Sequence, residues 1–434
     1  MIAKKLKEKI ANRKAKVGII GLGYVGLPLA VLFAQKGFPV FGIDINKNRI
    51  KRIKKGCSYI LDVPNEELKQ AISDKRLKVS EDFSVIRKLD AVIICVPTPL
   101  KDKKEPDISY IVSAVENIKK FMKKGQIIVL ESTTYPGTTE EVILPRLESA
   151  GFREGRDFYL AFSPERIDPA NPKYKTENTP KVIGGMSPRS SRIARELYSQ
   201  IINKVVSASS CKAAEMAKLL ENTFRIVNIG LVNEITLMCD KMGIDIWEVI
   251  DIAKTKPYGY MPFYPGPGVG GHCIAVDPIY LSWKARGFGF EAQFIELASH
   301  INSQMPHYVV ERITRALNEY KKPVKGSRIL IVGVAYKKDV KDLRESPALE
   351  IINILQNEKA VVSYYDPHLP YLNIDGIDLK SVKFTAKSFN DKDCVVIATD
   401  HSDVDYDFVL RESHLIVDTR NVFKKSEAKK VIKL

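Results

Sequence analysis

Residues 16–44, KVGIIGLGYVGLPLAVLFAQKGFPVFGID, constrain this chain more than any other stretch. "KVGII" is an apolar strand, "GLGYVG" a tight turn, "LPLAVLFAQKG" a helix ending at Gly37, and "PVFGID" the next strand. Further on, "DAVIICVPTP" and "QIIVLESTTYPG" are buried-strand runs, each finishing in a polar loop that contains proline. Strands that alternate with helices pair in parallel and predict an α/β fold with a doubly wound sheet. Ligands in such sheets gather at the carboxyl ends of the strands, where these loops lie.

The series is written twice. "RILIVGVAY" parallels "KVGIIGLGY", "VVSYYDPH" parallels "PVFGIDIN", "DCVVIATDHS" parallels "DAVIICVPTP", and "HLIVDTRNVF" parallels "QIIVLESTTY". Between the two, no proline interrupts the chain from about Cys211 to Met242, and Gly243 closes the run. Apolar residues at 213, 217, 220, 224, 227, 231, 235 and 238 step by three or four, as a long amphipathic helix requires. A helix of this length bridges two lobes or forms a subunit interface. Both roles are expected here, in a homodimer or dimer-built homo-oligomer. The 434 residues are too many for one ordinary core. The predicted architecture is two Rossmann-like, doubly wound parallel-sheet domains, 1–209 and 321–434, joined by a helical middle domain at 210–320. The second series lacks the glycine fingerprint and offers "YKKDVKDLRESP" instead, where Ser346 and Pro347 suit a helix N-cap and first turn.

A formal charge of +16 raises nucleic acid as a partner. The lysines are spread along the chain, mostly beside glutamates, with no arginine-rich arm. Most of the charge therefore reads as solvated surface, a minority lining a site for an anionic small molecule, and no nucleic acid is expected. No stretch approaches the ~20 unbroken apolar residues of a membrane helix. The basic start, MIAKKLKEKIANRKAK, lacks the apolar core of a secretory signal. Membrane association is not expected, and the cytoplasm is. Cysteines at 57, 95, 211, 239, 273 and 394 form no CxxC pair, and the histidines form no HExxH. That argues against a zinc ribbon, a disulfide scaffold, a dithiol centre or any metal. A working cysteine would work alone.

Gly21, Gly23 and Gly26 form GxGxxG between a strand and a helix, and Asp44 ends the second strand. The glycines let backbone close on a pyrophosphate at a helix N-terminus, and Asp44 would accept from a ribose 2′-hydroxyl and repel a 2′-phosphate. NAD is the cofactor this predicts. Lys218 and Asn222 share one face of the long helix. They read either as a solvated pair on a polar rim or as an ammonium and amide that stabilise an oxyanion. In "PGPGVGGHCIAVDP", residues 265–278, Cys273 sits where the backbone is barest and Asp277 follows four residues later. A thiolate there could add to an aldehyde, lose hydride and leave a thioester for water to cleave. A glycine-rich loop around a buried packing cysteine is the competing reading.

GLGYVG, SPER at 163–166, K-x3-N at 218–222, GGHC-x3-D at 270–277, and YKKD with LRES after 336 together resemble the UDP-glucose/GDP-mannose dehydrogenase family over nearly the whole chain. His272 before the cysteine, "PFYPGPGVGGHC" and "YLSWKARG" look like its members that act on UDP-N-acetyl amino sugars, UDP-N-acetylglucosamine above all. The resemblance implies a nucleophilic Cys273, a general acid/base Lys218 assisted by Asn222, and an Asp277 that assists proton transfer. It puts Thr133 and Glu165 near the nicotinamide and the hydrolytic water. Tyr24, Val25, Asp44, Arg49, Thr98 and Arg344 match its NAD site. Arg166, Ile167, Arg225, Phe263, Tyr264, Gly268, Tyr336, Lys337 and Arg420 match sugar-nucleotide contacts, beside Lys218 and Asn222.

The expected reaction is oxidation of the C6 alcohol of a UDP-N-acetylhexosamine to a uronic acid for polysaccharide or glycan synthesis, consuming two NAD. UDP-N-acetylmannosamine and UDP-glucose are the alternative substrates. A β-hydroxyacid dehydrogenase would share the Rossmann start and a helix-borne lysine but would need neither Cys273 nor a second nucleotide unit. A non-catalytic nucleotide-sugar sensor would bind both ligands and produce no NADH.

Overall fold

β1 (Val17–Ile20) is buried at every position, as are β4 (Ala91–Ile94), β5 (Ile127–Leu130) and β6 (Tyr159–Phe162). Runs of Val, Ile and Leu buried on both faces are what a parallel sheet covered by helices demands. A computed structural model describes residues 2–60, 62–101, 105–168, 171, 173–424 and 428–434, with the side chain of His272 outside the described set. It divides into two compact units, one of Met1–Glu221 with Trp283–Phe290, the other of Asn222–Ser282 with Glu291–Leu434.

The first unit holds an eight-stranded sheet. With β2 (Val40–Ile43), β3 (Leu77–Ser80), β7 (Lys181–Gly185) and β8 (Val205–Ser207), its order is β3-β2-β1-β4-β5-β6-β7-β8. Every neighbouring pair is parallel except β6 with β7, where Ala161 faces Gly185 and Phe162 faces Gly184 in antiparallel register. The chain leaves β1 for β2 on one side and later returns to β4 on the other, so a topological switch point opens at the carboxyl end of β1. One core covers one face, with Leu27, Phe33, Phe38 and Tyr198; the other is covered by Ile111, Ile118, Leu147 and Phe158.

The second unit carries the echo. β9 (Arg328–Val332), β10 (Val361–Tyr365), β13 (Cys394–Ile397) and β14 (Ile416–Asp418) are the four strands the repeat predicted. An antiparallel hairpin of β11 (Tyr371–Ile374) and β12 (Ile377–Lys380) was not foreseen, nor was β15 (Val431–Lys433). The five-stranded sheet runs β10-β9-β13-β14-β15, parallel throughout. Ser346 does precede the helix Pro347–Asn357, but its hydroxyl donates to the Val334 carbonyl at 2.8 Å instead of capping the helix.

The helix Cys211–Met242 has the extent the sequence pattern predicts, and Gly243 ends it at φ +69°. Its buried face mixes polar with apolar residues, among the latter Ala214, Leu219, Ile226, Val232 and Cys239. Glu215, Lys218, Asn222, Asn233 and Thr236 are buried, whereas Leu220, Phe224, Leu231 and Met238 from the apolar stripe are exposed. The division between the two units falls within this helix, after Glu221.

Candidate active site

In the first unit the glycine turn has the shape of a cradle. A Cβ on Gly26 would lie 1.8 Å from the Gly21 carbonyl oxygen, so only glycine lets the helix Gly26–Gln35 start this close to β1. A Cβ on Gly23 meets no described atom within 4 Å, which leaves that face of the turn open to a ligand. Gly21 sits at φ +89°, a conformation that bulkier residues reach only with strain. Asp44 is buried beneath the turn. Its Oδ2 accepts from Leu22 N at 2.8 Å and pairs with Arg49 Nη1 at 3.3 Å, while Oδ1 accepts from Asn46 N at 2.8 Å. A carboxylate offers about four acceptor positions, so one is left for a ribose hydroxyl. Val25 precedes the helix in αR geometry, Tyr24 is exposed, and Thr98 is buried in the loop after β4. The cradle fits a dinucleotide pyrophosphate.

Loops at the carboxyl ends of β5 and β6 bring Thr133 and Glu165, both half-buried. Glu165 Oε1 accepts from the backbone N–H groups of Arg166 at 2.6 Å and Ile167 at 2.7 Å. Its Oε2 lies 3.5 Å from Lys181 Nζ, which also donates to Glu131 Oε2 at 2.9 Å. Tyr198 donates to the other oxygen of Glu131. Glu131, Lys181 and Tyr198 are all buried. Burial alone would pull the Lys181 ammonium down, but Glu131 and Glu165 outweigh it and hold the ammonium above the ordinary lysine range. Sequence reading missed this cluster, because Lys181 reaches the carboxyl edge of the sheet only through the antiparallel turn of β7. Arg166 pairs with Glu221 and donates to the Pro180 carbonyl at 3.0 Å.

The central helix presents Lys218 and Asn222 on its buried face, 7% and 3% exposed, which overturns the solvated-rim reading of the pair. One turn earlier, the buried Glu215 accepts from Gly137 N at 2.6 Å and from Thr139 N at 3.0 Å. It thereby secures the loop that carries Thr133, another role the sequence did not announce.

In the second unit, Cys273 is exposed on the first turn of the helix His272–Arg286. Helix N-termini present N–H groups and a partial positive charge that favour an anionic sulfur. Asp277, one turn on and so on the same face, is 1% exposed and accepts from Asn222 Nδ2 at 2.5 Å. The packing-cysteine reading fails for Cys273, while Cys95, Cys211, Cys239 and Cys394 are buried as packing residues.

The bareness of the preceding loop also has a cause. Gly271 lies at φ +83°, and a Cβ there would sit 2.6 Å from the ring of Tyr336. Its N–H donates to the Arg344 carbonyl at 2.9 Å. Gly268 packs its backbone against Pro347, and Gly266 against the Arg420 guanidinium. Tyr336, Arg344 and Arg420 are thus gathered around the glycine loop, with Lys337 next along the chain and half-buried. The Arg344 side chain is held by Asp342, and Arg420 Nε donates to the Ala398 carbonyl at 2.8 Å. Phe263 packs edge-on to Phe224, Tyr264 stacks on Trp247, and Arg225 is exposed on the central helix.

Among the described residues, Asp339, His368 and His401 form one group that could hold a metal ion. Both nitrogens of the buried His401 are already engaged, Nδ1 by Asp339 N at 3.0 Å and Nε2 by Asp366 Oδ2 at 3.0 Å. His401 is a satisfied core histidine.

A glycine cradle on a parallel sheet and an exposed thiol at a helix N-terminus are parts of a dinucleotide-dependent oxidoreductase. Models of the NAD-binding, central and UDP-binding domains of one family match residues 15–202, 212–304 and 330–425 in that order. The chain belongs to the UDP-glucose/GDP-mannose dehydrogenase family and uses NAD. It is 40% identical over 354 residues to the UDP-N-acetyl-D-glucosamine 6-dehydrogenase of Pseudomonas aeruginosa, covering 81% of this chain and 82% of that one. It is 36% identical to the UDP-N-acetyl-D-mannosamine dehydrogenase of Methanococcus maripaludis, over 96% of this chain and 95% of that one. The solved structure of the UDP-D-ManNAc dehydrogenase from Pyrococcus horikoshii matches with a TM-score of 0.88 at 34% identity, covering 96% of this chain and 98% of that one. Among the described residues no helix is long and apolar enough to cross a membrane.

Proposed function

We propose that this enzyme oxidises the C6 alcohol of a UDP-N-acetylhexosamine, UDP-N-acetylglucosamine first among them, to the uronic acid. The observation that carries this reading is the exposed Cys273 one helical turn before a buried Asp277 that Asn222 holds. When bound, NAD supplies the hydride acceptor for each of two oxidations. Lys218 takes the proton of the C6 hydroxyl as the aldehyde forms. The Cys273 thiolate adds to that aldehyde, and Lys218 with Asn222 stabilises the oxyanion of the thiohemiacetal. After the second oxidation a thioester joins the sugar to Cys273. Water adds to its carbonyl, the C–S bond breaks, the thiolate leaves, and Asp277 and Glu165 manage the proton that water gives up.

The remaining assignments follow. Gly21, Gly23, Tyr24, Val25, Gly26, Asp44, Arg49, Thr98, Thr133 and Arg344 hold NAD. Arg166, Ile167, Arg225, Phe263, Tyr264, Gly268, Tyr336, Lys337 and Arg420 hold the UDP-sugar. Residues 1–209, 210–320 and 321–434 act as NAD-binding, central and UDP-binding domains. The exposed stripe of Leu220, Phe224, Leu231 and Met238 supports a homodimer built on the central helix. The reaction belongs in the cytoplasm, where its soluble substrates are, and serves surface polysaccharide or glycan synthesis.

The test measures NADH and acid formed from UDP-glucose and from the N-acetylated gluco, manno and galacto sugars. Two NADH per acid with Cys273→Ser inactive is the expected outcome. One NADH with free aldehyde accumulating contradicts the thioester route. UDP-N-acetylmannosamine is the second reading, because the mannosamine relative matches over 96% of this chain.

A further inference from the structure

Lys181 has no part in the chemistry above, yet it is an ammonium only 5% exposed among two glutamates and a tyrosine. Such a group is costly to bury unless its partners are fixed in place. It contacts three elements: Glu131 just beyond β5, Glu165 just beyond β6, and the ring of Tyr198, whose centroid lies 5.4 Å away at the end of the helix Pro188–Tyr198. Cys95, just beyond β4, is the fourth titratable group facing the cluster.

We propose that Lys181, locked by Glu131 and Tyr198, is a positioning residue that aims the Glu165 carboxylate at the water that cleaves the thioester. This rests on the reading of Glu165 given above. With Oε1 gripped by two backbone N–H groups and Oε2 facing the ammonium, the carboxylate has one orientation left to it. Glu131 shares the same ammonium and holds it in place. Removing Lys181 leaves one oxygen of Glu165 without its guide, so thioester cleavage should slow while the first hydride transfer does not. A cluster that merely tied β5 to β7 would slow both steps or neither.

The test measures acid formation and the first-turnover NADH rate at saturating NAD and the best UDP-sugar of the panel, for wild type, Lys181→Met, Lys181→Arg and Glu131→Gln. Lys181→Met should slow acid release about 10-fold or more and leave the first-turnover NADH rate within about twofold. Sugar held on Cys273 should then accumulate, read as added mass on the intact protein. Lys181→Arg should restore acid release, and Glu131→Gln should slow it without slowing the first turnover. If Lys181→Met fails to fold, as judged by circular dichroism, the selective loss of acid release in Glu131→Gln carries the test. Acid release unchanged in the folded variants, or lost together with the first turnover, overturns the proposal while the wild type still yields two NADH per acid. A wild type that fails that stoichiometry overturns the parent reading instead.

Discussion

Asn222 donates to Asp277 across 2.5 Å, linking the long helix to the helix that carries the exposed Cys273 on its first turn, and both side chains are buried. The amide thus has a defined task, to hold a buried carboxylate one turn from Cys273. Asp277→Asn preserves volume but removes the charge. It should lower kcat by about 10²-fold or more while leaving the NAD dissociation constant unchanged. Steady-state NADH release and a fluorescence titration with NAD check this, and an undiminished kcat would remove Asp277 from the proton path.

Gly26 faces the Gly21 carbonyl so closely that one methyl group must displace the start of the helix. Gly26→Ala should weaken NAD binding at least 10-fold, about 1.4 kcal/mol, while UDP binding to the other unit is unaffected. Calorimetric titration of each ligand separates the two. Wild-type NAD affinity in the variant would mean that the pyrophosphate does not use this cradle.

Leu231 is 54% exposed on a helix whose other face is buried. Monomeric surfaces rarely leave so long an apolar stripe uncovered. Leu231→Lys should halve the sedimenting mass at micromolar concentration. A variant that sediments like the wild type moves the subunit contact elsewhere.

Asp366 accepts from His401 Nε2 at 3.0 Å, Val334 N at 2.8 Å and His368 N at 2.8 Å. Burial would raise its pKa, but His401 and these backbone donors outweigh burial and hold it below the ordinary carboxylate range. A folded pKa below the unfolded one contributes stability that is complete above the unfolded value, about 3.9, and is lost as pH falls through the folded one. Asp366→Asn should therefore cost about 2 kcal/mol at pH 7, with the gap to wild type narrowing in acid. Urea midpoints at neutral pH and in acid measure it, and an equal gap at both would falsify this assignment.

Local pattern made the two sheets, the long helix and the cofactor turn legible, because period, glycine position and a strand-ending aspartate are properties of contiguous residues. The strands β3, β6, β7 and β8 of the first sheet escaped notice, and the antiparallel course of β7 depends on where β6 and β8 lie. The extra strand β15 and the hairpin β11–β12 escaped likewise, as short strands need partners that the local sequence does not name.

For the candidate site, residue types and spacing raised Cys273, Asp277, Lys218 and Asn222 beside competing structural readings, since helical periodicity relates each pair within itself, and their roles came from the family resemblance. Whether the lysine and the amide lie in water or in the core was a question of packing, and burial of the polar face answered it. The Glu131–Lys181–Tyr198 cluster joins residues 67 and 50 positions apart, so only the folded sheet could assemble it. Chain order determined which chemistry was on offer, and tertiary structure decided which charges were taken out of water, where electrostatic interactions become strong.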